Sequence, residues 1–297
     1  MKKYNISNNK FSMIYAIGFI EINYFHITAF ARLLKPIITK HPKLIIKMSA
    51  TLKTLISLFI LGLFSCSYLP ETKSEHPNLI IEETAEYIIL STISTDNSQS
   101  GIMFYPGGLV DPHAYIKPLE KFALEDNRTV LILKVASNLA ILNSKKASTT
   151  TNKIADVDRW ILGGHSLGGS TACIDIFNNQ DAFEGLFLLA SYSTKELTDI
   201  QIPIISITAS HDNVLDLGRL NENKVNLPEV LMIDSPELLP NESTIGKTIY
   251  YNIEGGNHGQ FGNYGAQKGD GDATITTDIQ HLLVFDMLRK FLTINDL

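Results

Sequence analysis

A serine on a glycine-rich turn is the first residue of this sequence that has the setting of a nucleophile. Residues 163–169 read Gly-Gly-His-Ser-Leu-Gly-Gly; the apolar run Trp160–Leu162 before them is typical of a strand, and the residues after them are typical of a helix. A G-x-S-x-G turn between strand and helix is sharp and strained, so Gly164 and Gly168 must lack side chains if the two elements are to pack closely. We therefore expect Ser166 to be a nucleophile at the carboxyl end of a strand, rather than part of an ordinary Gly/Ser loop.

A base and an acid for this serine follow it along the chain. The β-rich run Pro203–Ala209 ends shortly before Asp212, and the run Thr248–Ile253 ends shortly before His258. Serine, acid and histidine thus occur in an order known for catalytic triads, each just past a predicted strand. In these roles Ser166 attacks a carbonyl carbon, and His258 takes its proton and later returns it to the leaving group. Asp212 orients the imidazole and stabilises its charged form.

Backbone amides that can stabilise negative charge on the carbonyl oxygen are predicted at two places. One is the amide of Leu167, directly after the serine, and the other is expected in a loop after an earlier strand. Gly101–Tyr105 is typical of such a strand, and the glycines that follow it make the Gly108 amide our first candidate and the Leu109 amide our second. A hairpin turn that merely requires glycine is the alternative explanation of this loop.

Residues from about 80 to 297 resemble the compact bacterial alpha/beta hydrolases of the fold-5 type, relatives of dienelactone hydrolases and carboxylesterases. The resemblance is carried by Phe104–Val110 with Pro112 and Tyr115, by residues 163–169, and by Gly255–His258 with the polar and glycine-rich residues up to Asp270. It implies the α/β-hydrolase fold, the triad named above and hydrolysis of an ester-like bond. Many relatives have a glycine two residues before the acid, and this chain does not. Asp216 is therefore a second candidate for the acid.

The order of predicted elements indicates a doubly wound, mostly parallel α/β sheet. Strands are expected at 79–83, 86–92, 101–105, 130–135, 159–162, 185–190, 202–209 and 248–254, and helices at 115–125, 168–179, 277–291 and near 137–142. The later strands are continuous Ile, Leu and Val runs, as in a parallel sheet covered on both faces. The connection between the sixth and seventh strands is too short for a large lid domain. We expect residues 213–247 to shape the site, which lies at the carboxyl ends of the strands.

Charge is distributed unevenly along the 297 residues. Residues 1–65 contain nine Lys or Arg and one Asp or Glu, which leaves 16 basic against 30 acidic residues in the rest of the chain. Such an acidic body argues against a nucleic-acid partner, because phosphate binding needs clustered basic side chains. We also predict no metal or other cofactor. The stretch Asp270–Asp272 lacks the alternating carboxylates and the final glutamate of an EF-hand loop.

The basic N-terminal part predicts targeting to a membrane. From Met48, a lysine-containing segment, an apolar stretch and a small residue follow one another within the length of a signal peptide. The sequence Leu63–Cys66 resembles a bacterial lipobox, in which the cysteine is acylated, so we expect an extracytoplasmic lipoprotein anchored through Cys66. A plain secretory signal or an uncleaved anchor is the alternative. Along the chain we expect a misassigned start or extra apolar leader over residues 1–47 and a signal peptide over residues 48–65. A polar tether over residues 66–78 and the catalytic domain over residues 79–297 follow.

The remaining cysteine and most of the histidines are expected to be structural. With Cys66 assigned to the lipid, Cys173 cannot form an intramolecular disulfide, and its place on a predicted helix favours a buried thiol. We expect His165 to point away from the serine, and His113 to line the pocket or to face solvent. His211 and His281 are expected on the surface.

Together these features predict a serine hydrolase that cleaves carboxylic esters of a small-molecule substrate through an acyl-enzyme. The same triad serves amidases, peptidases and thioesterases, which are the first alternative. A non-catalytic surface binding protein on a hydrolase fold is the second. Labelling by a fluorophosphonate probe, which requires an activated serine, discriminates the binding protein from the enzymes.

Overall fold

The structure is a computed structural model that describes residues 67–93, 100–154 and 157–297. Its central element is a sheet of nine strands in the order β1-β2-β4-β3-β5-β6-β7-β9-β8. The strands are β1 (Ile80–Glu83), β2 (Tyr87–Ser91), β3 (Ser100–Tyr105), β4 (Val130–Leu133), β5 (Arg159–His165), β6 (Gly185–Leu189), β7 (Ile204–Ala209), β8 (Glu229–Ile233) and β9 (Lys247–Ile253). β2 pairs antiparallel with both β1 and β4, and all pairs from β4 to β8 are parallel.

Helices cover both faces of this sheet. They are α1 (Ile116–Leu124), α2 (Lys146–Thr150), α3 (Leu167–Asn178), α4 (Leu217–Asn223) and α5 (Thr277–Ile294). All residues of β3, β4, β6 and β7 are buried, and because side chains alternate between the faces of a strand, neither face is open to water. Helix α1 packs on α5, where the rings of Phe122 and Phe285 meet edge to face at 4.9 Å. The predicted doubly wound sheet is confirmed.

All eight predicted strands are present, and three of the four predicted helices are, with ends that differ by at most three residues. The helix expected near 137–142 is instead two 3-10 turns, Ala136–Asn138 and Ala140–Asn143. Ser137 and Asn138 have φ angles of 54° and 52°, a left-handed conformation that interrupts a helix. Helix α2, which follows these turns, was not predicted.

The 213–247 segment contributes a strand that the sequence did not indicate. β8 pairs with β9 at the edge of the sheet, from Glu229 opposite Lys247 to Ile233 opposite Tyr251. Most of its side chains are exposed, so it lacks the buried pattern of the central strands, and pairing with β9 is what orders it. The connection between β6 and β7, residues 190–203, contains no helix, as expected for a domain without a lid there.

Part of the predicted tether is bound to the domain rather than free. The main chain of Tyr68 forms a parallel bridge with Val110, and the Glu71 amide donates to the Asn263 carbonyl at 2.8 Å. Residues of the predicted tether, from Ser67 on, are therefore described together with the domain that they contact. The expected leader, the signal peptide and Cys66 lie outside the described residues. Of the helices in the described ranges, none combines the length and hydropathy needed to cross a bilayer.

Candidate active site

Ser166 occupies the turn between β5 and α3, which confirms the predicted arrangement of strand, turn and helix. Its φ of 53° and ψ of −121° are strained for a residue with a side chain. The Ser166 amide donates to the Leu189 carbonyl at 2.9 Å, and the Ser166 carbonyl accepts from the Ser191 hydroxyl at 2.7 Å. Among the described residues, no hydrogen bond engages the Ser166 hydroxyl, which is thus available to a ligand.

The two glycines of the turn allow close approaches of main chain. A Cβ at Gly164 would overlap the main chain of Gly168 and Gly169, on the first turn of α3. A Cβ at Gly168 would overlap the carbonyl oxygens of Tyr105 and Pro106, which open the loop after β3. Because Gly164 has no side chain, the first turn of α3 can pack closely against β5. Because Gly168 has none, the start of α3 can contact the loop that contains Gly108.

His258 and Asp212 form a buried pair. The His258 Nδ1 lies 2.8 Å from Asp212 Oδ2, and neither side chain is appreciably exposed. The other Asp212 oxygen accepts hydrogen bonds from the amides of Val214 and Leu215, both at 2.8 Å. With both oxygens engaged, the carboxylate has one orientation, and within the described residues no hydrogen bond engages Nε2 of the imidazole that it holds.

Asp216, the second candidate for the acid, is used elsewhere. Its Oδ1 accepts from the Arg219 amide at 3.0 Å and so caps the start of α4. Its side chain is 59% exposed and lies 3.6 Å from the Arg219 guanidinium. The structure thus brings Asp212, and not Asp216, to His258.

The carboxylate of Asp270 joins the loop that contains Asp212 to the loop that contains His258. Asp270 Oδ2 accepts from the Gly259 amide, next to His258, at 2.7 Å, and its Oδ1 accepts from the Asn213 amide, next to Asp212, at 3.3 Å. In the sequence this residue ends the stretch that carries the family resemblance, and its neighbourhood lacks the pattern of a calcium loop. No cluster of potential metal ligands occurs in the described part of the chain. Asp270 instead ties together the two loops that present the buried pair.

The loop after β3 has one amide free for a ligand. The Gly107 amide donates to the Tyr115 hydroxyl at 2.9 Å, and the Leu109 amide donates to the Asn138 carbonyl at 2.7 Å. Within the described residues the Gly108 amide has no acceptor. A Cβ built on Gly108 would lie 3.2 Å from a Leu167 side-chain atom, so the two predicted donor residues are neighbours. The geometry therefore favours Gly108 over Leu109.

His165 is a buried residue that contacts His258 and does not line the cavity of Ser166. Its ring is buried and lies 4.5 Å, between centroids, from the ring of His258. Its Nδ1 is 2.8 Å from the Tyr115 hydroxyl. Burial, and next the nearby His258, hold the pKa of His165 well below its ordinary value, so the ring is neutral. It therefore supports His258 as an uncharged packing partner that does not oppose a positive charge there.

Ser166 and His258 share one cavity. Its volume is about 290 Å³, at the small end of the range for ligand sites. The other lining residues are Leu167, Ser170, Ala190, Ser191, Tyr192, Val214, Leu215, Asp216 and Arg219. A larger cavity of about 830 Å³ lies among the residues that precede β5, β6 and β7, at the amino ends of the strands, away from the serine. In doubly wound sheets the ligand binds at the carboxyl ends, where the smaller cavity lies.

The remaining candidates are placed away from the cavity. His113 is half-buried and binds Asp111 at 2.7 Å and Glu83 at 3.2 Å, so it does not line the site. His281, expected on the surface, is buried in α5 with Nε2 3.2 Å from the Gly262 carbonyl. His211 is half-buried, and its Nδ1 lies 2.6 Å from the Asp272 carbonyl. Cys173 is a buried free thiol as predicted, and burial raises its pKa to about 12.

Comparison with known proteins agrees with this architecture. A search of curated proteins gave no match. A family model described as the alpha/beta hydrolase family matches residues 101–282, more than half of the chain. The matched region contains the serine turn, the buried acid and histidine, and the loop with the free amide. The chain therefore belongs to the alpha/beta hydrolase family.

Proposed function

We propose that this protein is a serine hydrolase that cleaves carboxylic esters through an acyl-enzyme. The proposal rests on one observation. A serine on a strained turn shares a cavity with a histidine whose far nitrogen is bound to a buried carboxylate. Nucleophile, base and orienting acid are the three parts that such chemistry requires.

In this mechanism the Ser166 hydroxyl oxygen attacks the ester carbonyl carbon while His258 Nε2 accepts the hydroxyl proton. Asp212 stabilises the imidazolium that forms. The carbonyl oxygen becomes negatively charged in the tetrahedral intermediate and is bound by the amides of Gly108 and Leu167. The intermediate collapses when the carbon–oxygen bond to the alcohol breaks and His258 donates its proton to that alcohol. Water then repeats the sequence on the acyl-enzyme and releases the carboxylic acid.

The cavity favours a small acyl or alcohol group. Its volume of about 290 Å³ is small for a ligand site, and its walls mix apolar and hydroxyl side chains. The connection between β6 and β7 supplies no helix to cover a long chain. We therefore propose short-chain esters as the preferred substrates.

The test is hydrolysis of nitrophenyl esters of graded acyl length, together with fluorophosphonate labelling. We expect the wild-type protein to prefer short esters and to be labelled at Ser166. Ser166→Ala should lose both turnover and labelling while its circular dichroism spectrum stays unchanged, because the hydroxyl carries the chemistry and makes no described hydrogen bond. Turnover near the wild-type level in Ser166→Ala would contradict the triad. No labelling of the wild type would favour a non-catalytic binding protein.

A second part of the proposal concerns location. We propose that the protein is held at the outer face of a membrane by acylation of Cys66, the residue before Ser67. Because Tyr68 is bonded beside the Gly108 loop, such an anchor would keep this side of the site close to the bilayer. Protein made from Met48 should partition with membranes and incorporate labelled palmitate, and Cys66→Ala should not. Equal labelling of Cys66→Ala, or a mature N-terminus upstream of Cys66, would contradict this part alone.

A further inference from the structure

The first residues that the structure describes lie across the loop that supplies the free amide. We call residues 67–72 the N-terminal strap. The Tyr68 amide donates to the Leu109 carbonyl at 2.8 Å, and the Asp111 amide donates to the Tyr68 carbonyl at 2.9 Å. The strap thus binds the main chain of Leu109 and of Asp111, the residues on either side of Val110. Leu109 directly follows Gly108.

The strap also fixes the strained part of this loop. Leu109 has a φ of 60°, an unfavourable conformation for leucine. Its carbonyl is bound by Tyr68, and its amide is bound by the Asn138 carbonyl at 2.7 Å. The Asn138 side chain in turn donates to the Ser67 hydroxyl at 2.9 Å. Both polar groups of the Leu109 main chain are therefore held by the strap or by a residue bonded to the strap.

The orientation of the Gly108 amide depends on the same turn. The Gly107 carbonyl accepts from the Val110 amide at 3.2 Å. Because the peptide bond is planar and trans, the Gly108 N–H points to the side opposite that carbonyl. The free amide is thus aimed by a turn whose last residue, Val110, is bridged to the strap.

The other end of the strap is attached to the loop that follows His258. The Glu71 amide donates to the Asn263 carbonyl at 2.8 Å, and the buried Asn263 side chain donates to the Thr72 carbonyl and hydroxyl, both at 2.9 Å. The Tyr68 ring lies 5.3 Å from the Tyr264 ring. One six-residue segment therefore connects the loop of the oxyanion-binding amide with the loop of the base.

We propose that the N-terminal strap is a positioning element for the oxyanion-binding amide of Gly108. The proposal rests on the proposed serine hydrolase function and adds residues 67–72 to the parts that this function needs. Without the strap, the strained turn at Leu109 loses partners and the Gly108 amide loses its direction. A misplacement of about 1 Å at a reacting group can cost on the order of 10²-fold in rate. Because the oxyanion forms only after the substrate has bound, in the tetrahedral intermediate and the transition states beside it, kcat should fall and KM should not rise.

The test replaces residues 67–72 of the full chain with a Gly/Ser sequence of the same length. The matched control replaces residues 73–78, whose described hydrogen bonds are only local ones at His76. Active sites are counted with a fluorophosphonate, so that misfolded protein does not enter kcat. For a short nitrophenyl ester we expect the strap variant to lose about 10- to 100-fold in kcat with KM within about twofold. Its affinity for an alkylboronic acid, which forms a tetrahedral adduct with the serine, should fall in proportion, and the control should resemble wild type.

A second pair of variants covers the case in which the linker variant does not fold. Tyr68→Pro removes the amide that binds the Leu109 carbonyl, whereas Tyr68→Ala keeps it. We expect a lower kcat and weaker boronate binding in the proline variant than in the alanine variant. Wild-type kcat and boronate affinity in the folded strap variants would overturn the proposal, as would a parallel change of the strap variant and its control. Failure of the wild-type protein to be labelled at Ser166 would instead overturn the proposed function.

Discussion

The two sides of the candidate site are built in different ways. On the side of the proposed acid and base, which we call the acid and base side, Asp212 accepts from amides of its own loop and binds His258 directly, and Asp270 accepts from amides of the two loops that contain Asp212 and His258. On the side of the proposed oxyanion-binding amide, which we call the oxyanion side, the important groups belong to the main chain, and Leu109, Ser137 and Asn138 all have positive φ angles. Side-chain carboxylates order the first side, and contacts from distant segments order the second.

This difference determines how each side should respond to substitution. A carboxylate can be removed by a single change, so the acid and base side should show large losses at few positions. A main-chain amide cannot be removed in this way, so the oxyanion side should respond to changes in the segments that hold it. The following predictions test the contrast.

The largest effect is expected at Asp212. Asp212→Asn should lower kcat for a short ester by roughly 10⁴-fold, as in the serine protease case, because the imidazole loses its orienting and stabilising carboxylate. Asp216→Asn is the comparison variant and should change kcat far less, since Asp216 lines the cavity and caps α4 but does not bind His258. Steady-state kinetics on both variants checks this. A larger loss in the Asp216 variant would move the acid to that residue.

A smaller effect is expected at Asp270. Asp270→Asn weakens the two amide contacts that tie the His258 loop to the Asp212 loop, so kcat should fall by about 10- to 100-fold through misplacement of the pair. Asp272→Asn is the control, because only its main-chain carbonyl is used, by His211. We would measure kcat and KM for both variants. Equal activities would mean that the pair is oriented without Asp270.

The smallest effect is a pH-dependent one on the oxyanion side. The hydrogen bond that His113 donates to the Asp111 carboxylate, stronger in effect than partial burial, raises the pKa of His113. A raised folded-state pKa gives stability that is present below the unfolded value and is lost as pH rises through the folded value. His113→Ala should therefore lower Tm more at about pH 5.5 than at about pH 9. The cost should be below about 1 kcal/mol because the pair is partly exposed.

Thermal melts of wild type, His113→Ala and a control at the exposed His76 test this dependence. The control should show no comparable change between the two pH values. If His113→Ala lost as much stability at the higher pH as at the lower, the ion pair with Asp111 would not contribute as described.

Much of the sheet and the serine turn was predictable because their signals are local. Apolar runs, continuous in the later strands, identified the eight strands, and the glycines at 164 and 168 identified the turn, since each reports a requirement of its own neighbourhood. Parallel strands place their carboxyl ends at one edge, so residues just past three strands could be expected to meet there. The order Ser166, Asp212, His258 required no further information.

What only the tertiary structure decided were the partners of individual polar groups. Leu109 is excluded as a donor because Asn138 binds its amide, and Asp216 is excluded from the pair because it caps a helix. The binding of residues 67–72, the pairing of β8 and the burial of His281 likewise depend on segments far away in the chain. A hydrogen bond or a buried contact needs two groups in the same place. The sequence shows each group but not its neighbour, and folding alone brings the two together.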